Sequence, residues 1–185
     1  MVYVDNDPIA VAQTELLLDR FGDPRRQIAV EADLRDPADL WQRAINTEVI
    51  DPGQPVALLL IAVLHLQQLD ADGNEISVES VLKLSELLPT GSYAAISHIT
   101  DDGVPVQVKA TLAGLQRLYG RAGASNVVWR SRDRIASMLE NLRIVEPGWT
   151  SATDWRPDQC GDREPAAAFP SGSDTVVWVG VGKKA

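Results

Sequence analysis

Cysteine is nearly missing from these 185 residues, and Cys160 is the only one. A lone thiol has no intrachain partner, and this one lies in a polar stretch, so a disulfide scaffold is excluded and a bystander role in a reducing compartment is expected. Histidine is almost as scarce: His65 and His98 are the only two, too few for a histidine-based zinc site of any common kind. Basic residues are also in short supply. Seventeen Lys and Arg stand against 26 Asp and Glu, a formal net charge of −9. Such a surface repels a phosphate backbone, so nucleic acid is not an expected partner. Long hydrophobic runs are lacking too. The longest, Val56 to Leu64, is about half of the ~20 residues a bilayer crossing needs, and the chain does not open with a basic region followed by an apolar one. These absences lead to the expectation of a cytoplasmic protein with no membrane partner.

What is present describes a chain that folds. Hydrophobic residues make up 45% and charged residues 23%, close to the globular average, and the length suits a single domain over 1–185. Met1 to Val4 reads as a short strand, followed by Asp7 as a helix cap and Pro8 at the first helical position, where no N–H is needed. The helix that follows places Ile9, Ala12, Leu16, Leu17 and Phe21 on an inward face, and Gly22-Asp23-Pro24 stops it. Gln27 to Glu31 is a second strand. Asp36-Pro37 repeats the cap grammar, and the next helix turns Leu40, Trp41, Ala44 and Ile45 inward. The unbroken apolar run from Val56 to Leu64 suits a strand covered on both faces, hence central and parallel.

Farther along, a helix carries Ile76, Val78, Val81, Leu82, Leu84, Leu87 and Leu88, and Tyr93 to Ile99 is a buried strand. Val108, Leu112, Leu115 and Leu118 recur at helical spacing in a segment from about Pro105 to Tyr119. Val127 to Trp129 is extended, Ser131 caps a helix through Leu139, and Arg143 to Glu146 is a strand. Trp149 to Asp174 is loop, and Thr175 to Val181 is the last strand. Strand and helix alternate throughout, the pattern of an α/β sandwich with ligands at the carboxyl ends of a mostly parallel sheet. Asp5, Asp33, His65 and His98 each fall at or just after the end of a proposed strand.

Three readings compete for these residues. A phosphoryl-accepting receiver domain also opens with a strand ending in an acidic pair, but it needs an aspartate at the end of a later strand. Here that strand ends Leu64-His65. A dinucleotide-binding fold places an acid after its second strand, where it accepts hydrogen bonds from ribose hydroxyls, and Asp5 fits that role. The Gly-rich turn of that fold belongs about twenty residues upstream of the acid, and it is not there.

The third reading is a resemblance. It is carried by Val2-Tyr-Val-Asp-Asn-Asp-Pro8, Ala32-Asp-Leu-Arg-Asp-Pro37, Pro55 through His65, Leu88-Pro-Thr-Gly-Ser-Tyr93 with Ser97-His98, and Val145-Glu-Pro-Gly148 followed by Trp155-Arg-Pro157. In this order they resemble the actinobacterial family of S-adenosylmethionine-dependent methyltransferases. The resemblance implies a Rossmann-like methyltransferase sandwich whose last strand runs antiparallel to the others, with S-adenosylmethionine as cofactor. It further implies that Asp5 binds the ribose hydroxyls and that Asp33, with Leu34 beside it, contacts adenine. Members of this family carry a first strand and a Gly-containing loop upstream of the segment matching Val2 to Asp5, so the chain is expected to be N-terminally truncated. Without that strand, Met1 to Val4 and Val56 to Leu64 are expected either to pair directly or to leave apolar edges open.

His65 is the candidate catalytic residue, as a base beside the transferred methyl group, since an imidazole near neutrality can remove an acceptor's proton. His98 is a weaker candidate for the same place. For either histidine the competing role is a hydrogen bond to a backbone carbonyl at a strand end. Asp70, Asp72, Asp101 and Asp102 read as solvated turns, not a metal site. Trp155-Arg156-Pro157 either lines an acceptor pocket or anchors its loop. The expected function is methyl transfer to a small-molecule acceptor, and the other reading is a non-catalytic remnant or interaction module of a truncated methyltransferase.

Overall fold

The computed structural model describes residues 1–121, 127–156 and 176–185. They divide into two compact units. The first comprises residues 1–56, 68–92 and 184–185, and the second residues 57–67 and 93–183.

In the first unit, β1 (Val2–Asp5) and β2 (Ile28–Glu31) form a parallel pair, in register from Val2 opposite Ile28 to Asp5 opposite Glu31. The helix between them, α1 (Pro8–Phe21), starts where the Asp7 carboxylate accepts the Ile9 N–H at 2.9 Å. The same device starts α2 (Pro37–Asn46): Asp36 accepts the Asp39 N–H at 3.1 Å and Pro37 fills the first turn. Both caps follow from the Asp-Pro pairs, because the carboxylate satisfies an orphan N–H and proline has none to satisfy. Helix α2 buries Leu40 and Ala44 with Trp41 and Ile45 half-buried, as its pattern predicts. It packs against α3 (Ser77–Leu87), whose Val78, Val81 and Leu84 form the core of this unit.

Helix α1 departs from expectation. Ile9, Leu16, Leu17 and Phe21 are exposed, between 60% and 74%, and no residue of the helix is fully buried. Its half-buried residues are instead Ala10, Val11, Thr14 and Leu18. A two-stranded sheet of four-residue strands offers room for one narrow stripe of a helix, so the second apolar stripe of α1 has nothing in this unit to cover it.

The second unit is built on a sheet in the order β3 (Ala57–Ile61), β4 (Tyr93–Ile99), β7 (Val177–Lys183), β5 (Arg143–Ile144), with β6 (Thr150–Ser151) also paired to β7. β3 and β4 are parallel, and β7 is antiparallel to β4, β5 and β6. The antiparallel last strand and its pairing with the Arg143 segment are as expected. Among the described residues β3 is not central: it is hydrogen-bonded on one side only and forms the sheet edge, with Leu59 58% and Ile61 56% exposed. Among the described residues β1 belongs to the two-stranded sheet of the first unit and β3 to this sheet.

Helix α4 (Val106–Arg121) buries Leu112 and half-buries Val108 and Leu115, but Leu118 is 63% exposed. At 3.6 residues per turn Leu118 stands about 120° around the helix from Leu112, whereas Val108 and Leu115 stand within about 60° of it. Ser131 caps α5 (Arg132–Ala136), and a 3-10 turn, Ser137–Leu139, continues it. Ile135, Met138 and Leu139 are buried there, as are Leu64 on the segment after β3 and Ile96 on β4. Two glycines of β7 let side chains lie flat on the strand. A Cβ at Gly180 would stand 2.4 Å from the Trp149 ring, and one at Gly182 would stand 2.7 Å from Leu142. No helix among the described residues is long and apolar enough to cross a membrane.

Candidate functional site

The predicted residues fall on the two units, Asp5, Asp33 and Leu34 on the first and His65 and His98 on the second.

Asp5 is the last residue of β1, and Asp33 follows β2 by two residues, so both carboxylates leave the carboxyl ends of neighbouring parallel strands. The exposed Asp5 side chain accepts the Asp7 N–H at 2.9 Å through Oδ1, which holds it at the strand end. A carboxylate has about four acceptor sites, so that single bond leaves capacity for a vicinal diol. Asp33 is more heavily engaged. It accepts the Arg35 backbone N–H at 2.8 Å, Arg35 Nε at 3.0 and 2.9 Å, and Arg35 Nη2. Bonds from the Arg35 side chain hold the Asp33 carboxyl below the usual carboxylate range against a smaller opposing effect of partial burial, and the nearby Asn6 amide adds a weaker effect in the same direction as Arg35. Arg35 also donates to the Leu69 carbonyl at 3.3 Å. Leu34, half-buried, stands between Asp33 and Arg35 in the chain.

On the second unit His98 is fully buried. Its Nδ1 donates to the Ile99 carbonyl at 2.6 Å, and Arg130 Nη1 donates both to His98 Nε2 at 2.7 Å and to the Leu64 carbonyl. A guanidinium can only donate, so Nε2 is the acceptor and the proton sits on Nδ1. Burial, assisted by the charge of Arg130, pushes the His98 pKa down to about 4. With both nitrogens engaged by its surroundings, His98 is a structural tie between β4 and the segment after β3, which is the role that competed with catalysis in the sequence.

His65 is different. Its ring is half-buried and edge-on to His98, 5.4 Å between centroids, and 6.2 Å from Trp129. Its Nδ1 is buried with no hydrogen-bond partner among the described residues. Burial, and secondarily the Arg130 charge, lower its pKa below the ordinary value of 6.5, which favours the neutral ring. His65 lines a cavity of 270 Å³ with Leu66, Ile99, Leu115, Tyr119 and Trp129, at the carboxyl ends of the parallel strands β3 and β4.

Other candidates resolve into local roles. Asp70 accepts the backbone N–H groups of Asp72 and Asn74 and so organises its turn, whereas Asp102 accepts the N–H of Arg132, the first residue of α5. No group of three or more metal-ligating side chains occurs among the described residues. Arg156 lies 5.7 Å from the Trp155 ring and donates to the Glu146 carbonyl, which makes this pair a loop anchor. Pro157, Cys160 and the start of the predicted last strand at Thr175 lie outside the described residues.

The sequence matches the S-adenosyl methyltransferase family over residues 1–185. The chain belongs to this family. No curated protein matches it significantly. A DUF574 family protein from Streptomyces avermitilis is 32% identical, with a TM-score of 0.74, covering 100% of this chain and 64% of its own. A candidate methyltransferase from Thermobifida fusca is 28% identical, with a TM-score of 0.71, covering 99% of this chain and 62% of its own. The chain thus spans a little under two thirds of these solved relatives. The N-methyltransferase NodS from Bradyrhizobium japonicum, solved with S-adenosyl-L-homocysteine, shares the fold at 11% identity and a TM-score of 0.51, over 99% of this chain and 65% of its own.

Sequence reasoning did not single out Arg35 and Arg130, which hold Asp33 and His98. Arg35 carries a local signal, a base two residues after an acid and just before a helix cap. Arg130 carries none, since a charged residue beside Trp129 reads as surface, yet it is 5% exposed.

Proposed function

We propose that this chain transfers the methyl group of S-adenosylmethionine to a small-molecule acceptor. The observation that carries the proposal is the pair of carboxylates, Asp5 and Asp33, at and just after the ends of adjacent parallel strands. Carboxyl ends of parallel strands are where α/β sheets receive ligands.

In this reading Asp5 accepts hydrogen bonds from the ribose hydroxyls, which its open acceptor sites suit. Asp33 and Leu34 face adenine, Leu34 supplying an apolar surface. Both oxygens of Asp33 are engaged by Arg35, so an adenine amine must share them or displace the guanidinium. When bound, S-adenosylmethionine supplies an electrophilic methyl carbon on a sulfonium. His65, whose burial favours the uncharged imidazole, serves as the base that receives the acceptor's proton. Alignment of acceptor and methyl group contributes the larger share of such a displacement.

A second reading, a non-catalytic interaction module, draws on the exposed apolar stripe of α1. Titration of the chain with S-adenosyl-L-homocysteine up to millimolar concentration, followed by amide NMR shifts, separates the two. Saturable shifts at Asn6, Asp33 and Leu34 support the methyltransferase. A folded chain with no shifts at any of them supports the module.

A further inference from the structure

The cavity beside His65 has a composition that selects its guest. Apart from His65 and the hydroxyl of Tyr119, the described side chains on its wall are apolar or aromatic, and none of them is charged. Trp129 cannot offer its N–H to a ligand, because Nε1 already donates to the Leu112 carbonyl at 3.1 Å. What Trp129 and Tyr119 present is ring surface. A guest carrying a carboxylate, phosphate or ammonium would meet no ion-pair partner among the described residues of the wall, and burying an unpaired charge is strongly unfavourable. The volume bounds size: a cavity of about 150 Å³ holds a benzene ring, so 270 Å³ holds a substituted ring or a fused pair. The polar side-chain groups that the described wall offers a guest are the imidazole of His65 and the hydroxyl of Tyr119.

We infer that this cavity receives a planar aromatic alcohol of one or two rings, its hydroxyl directed at His65. The chemistry of the inference rests on the methyltransferase reading, whereas the binding does not. An imidazole accepts a proton far more readily from a phenol of pKa about 10 than from an aliphatic hydroxyl, which resembles water at about 15.7. In the reaction the phenolic oxygen forms a bond to the methyl carbon. The carbon–sulfur bond breaks and its electron pair stays on sulfur, leaving a neutral thioether. The phenolic proton passes to His65 and from there to water. The products are an aryl methyl ether and S-adenosylhomocysteine.

Binding can be read without cofactor, using 2-naphthol as probe and the indole N–H resonance of Trp129, assigned by Trp129→Phe. Saturable shifts of that resonance are expected with 2-naphthol, and at least tenfold weaker ones with 2-naphthoate, which carries a charge in place of the hydroxyl. Leu115→Trp fills the cavity and should abolish the shifts. Should that variant not fold, Tyr119→Ala removes a ring from a position 43% exposed and should weaken 2-naphthol at least threefold. His65→Ala should weaken 2-naphthol but leave 2-methoxynaphthalene, which has no hydroxyl proton, within twofold. An unmoved Trp129 resonance, or equal affinity for 2-naphthol and 2-naphthoate, overturns the inference. If S-adenosyl-L-homocysteine still shifts Asn6 and Asp33 in that case, the methyltransferase reading stands alone. If 2-naphthol binds and S-adenosyl-L-homocysteine does not, the cavity assignment stands and the methyltransferase reading falls.

Discussion

Acid should unfold this protein partly through one buried histidine. His98 is neutral in the folded chain because burial and the facing Arg130 disfavour its charged form, and its pKa falls from 6.5 to about 4. Between those values the unfolded chain binds a proton that the folded chain does not, so stability rises with pH through this window. The contribution is fully present above 6.5 and is lost as pH falls toward 4. The gap corresponds to about 3 kcal/mol at about 1.4 kcal/mol per tenfold change in the proton equilibrium, and about 2 kcal/mol of it is lost between pH 7 and pH 4.5. Urea denaturation at the two pH values measures it. For a slope of about 1–3 kcal/mol/M, the midpoint should drop by roughly 1 M.

His98→Gln isolates the effect, since glutamine offers Arg130 an acceptor and does not titrate. His65, Asp33 and the other acids are common to both chains. The variant should therefore be less stable at pH 7 by about 1–2 kcal/mol and should approach the parent at pH 4.5. Parallel losses of stability in parent and variant would refute the reasoning, because His98 would then titrate normally in the fold.

Three further outcomes follow from packing. Gly180→Ala should destabilise by about 1–3 kcal/mol or more, read as a lower melting temperature, because its Cβ would meet the Trp149 ring at 2.4 Å. Trp149→Ala in the same chain should recover part of that loss. Asp36→Ala should cost about 1 kcal/mol by removing the cap on α2, with far-ultraviolet circular dichroism unchanged at room temperature. Leu16→Lys and Phe21→Ser on the exposed stripe of α1 should shift stability by no more than about 0.5 kcal/mol while raising the concentration at which the protein stays in solution.

The local grammar of the fold was legible where one residue type has one physical use. Asp7-Pro8 and Asp36-Pro37 start helices because carboxylate and proline each solve the orphan N–H problem, and Ser131 does the same without proline. The antiparallel β7 was legible only through the family resemblance, since a strand's direction leaves no mark on its own residues. The edge position of β3 was not legible. An unbroken apolar run records that both faces avoid water somewhere, but hydrogen-bonded neighbours are a property of the sheet, and Leu59 and Ile61 look the same at its centre and at its rim. The second stripe of α1 misled for the same reason, because periodicity marks apolar faces without saying what area faces them. At the candidate site, Asp5, Asp33 and His65 were found by their place after strands. What distinguishes His65 from His98 is the buried Arg130, which approaches from a segment distant in sequence.

The central claim is that the carboxylate ending β1 binds the ribose of S-adenosylmethionine, and the most direct measurement compares S-adenosyl-L-homocysteine affinity in the parent and in Asp5→Ala. Asp19→Ala, an exposed acid on α1, serves as the control. Each charge-assisted hydrogen bond is worth about 1.5–3 kcal/mol, so Asp5→Ala should weaken binding at least tenfold while its melting temperature stays near the parent's, and Asp19→Ala should bind like the parent. Equal affinity in the parent and Asp5→Ala would contradict the account.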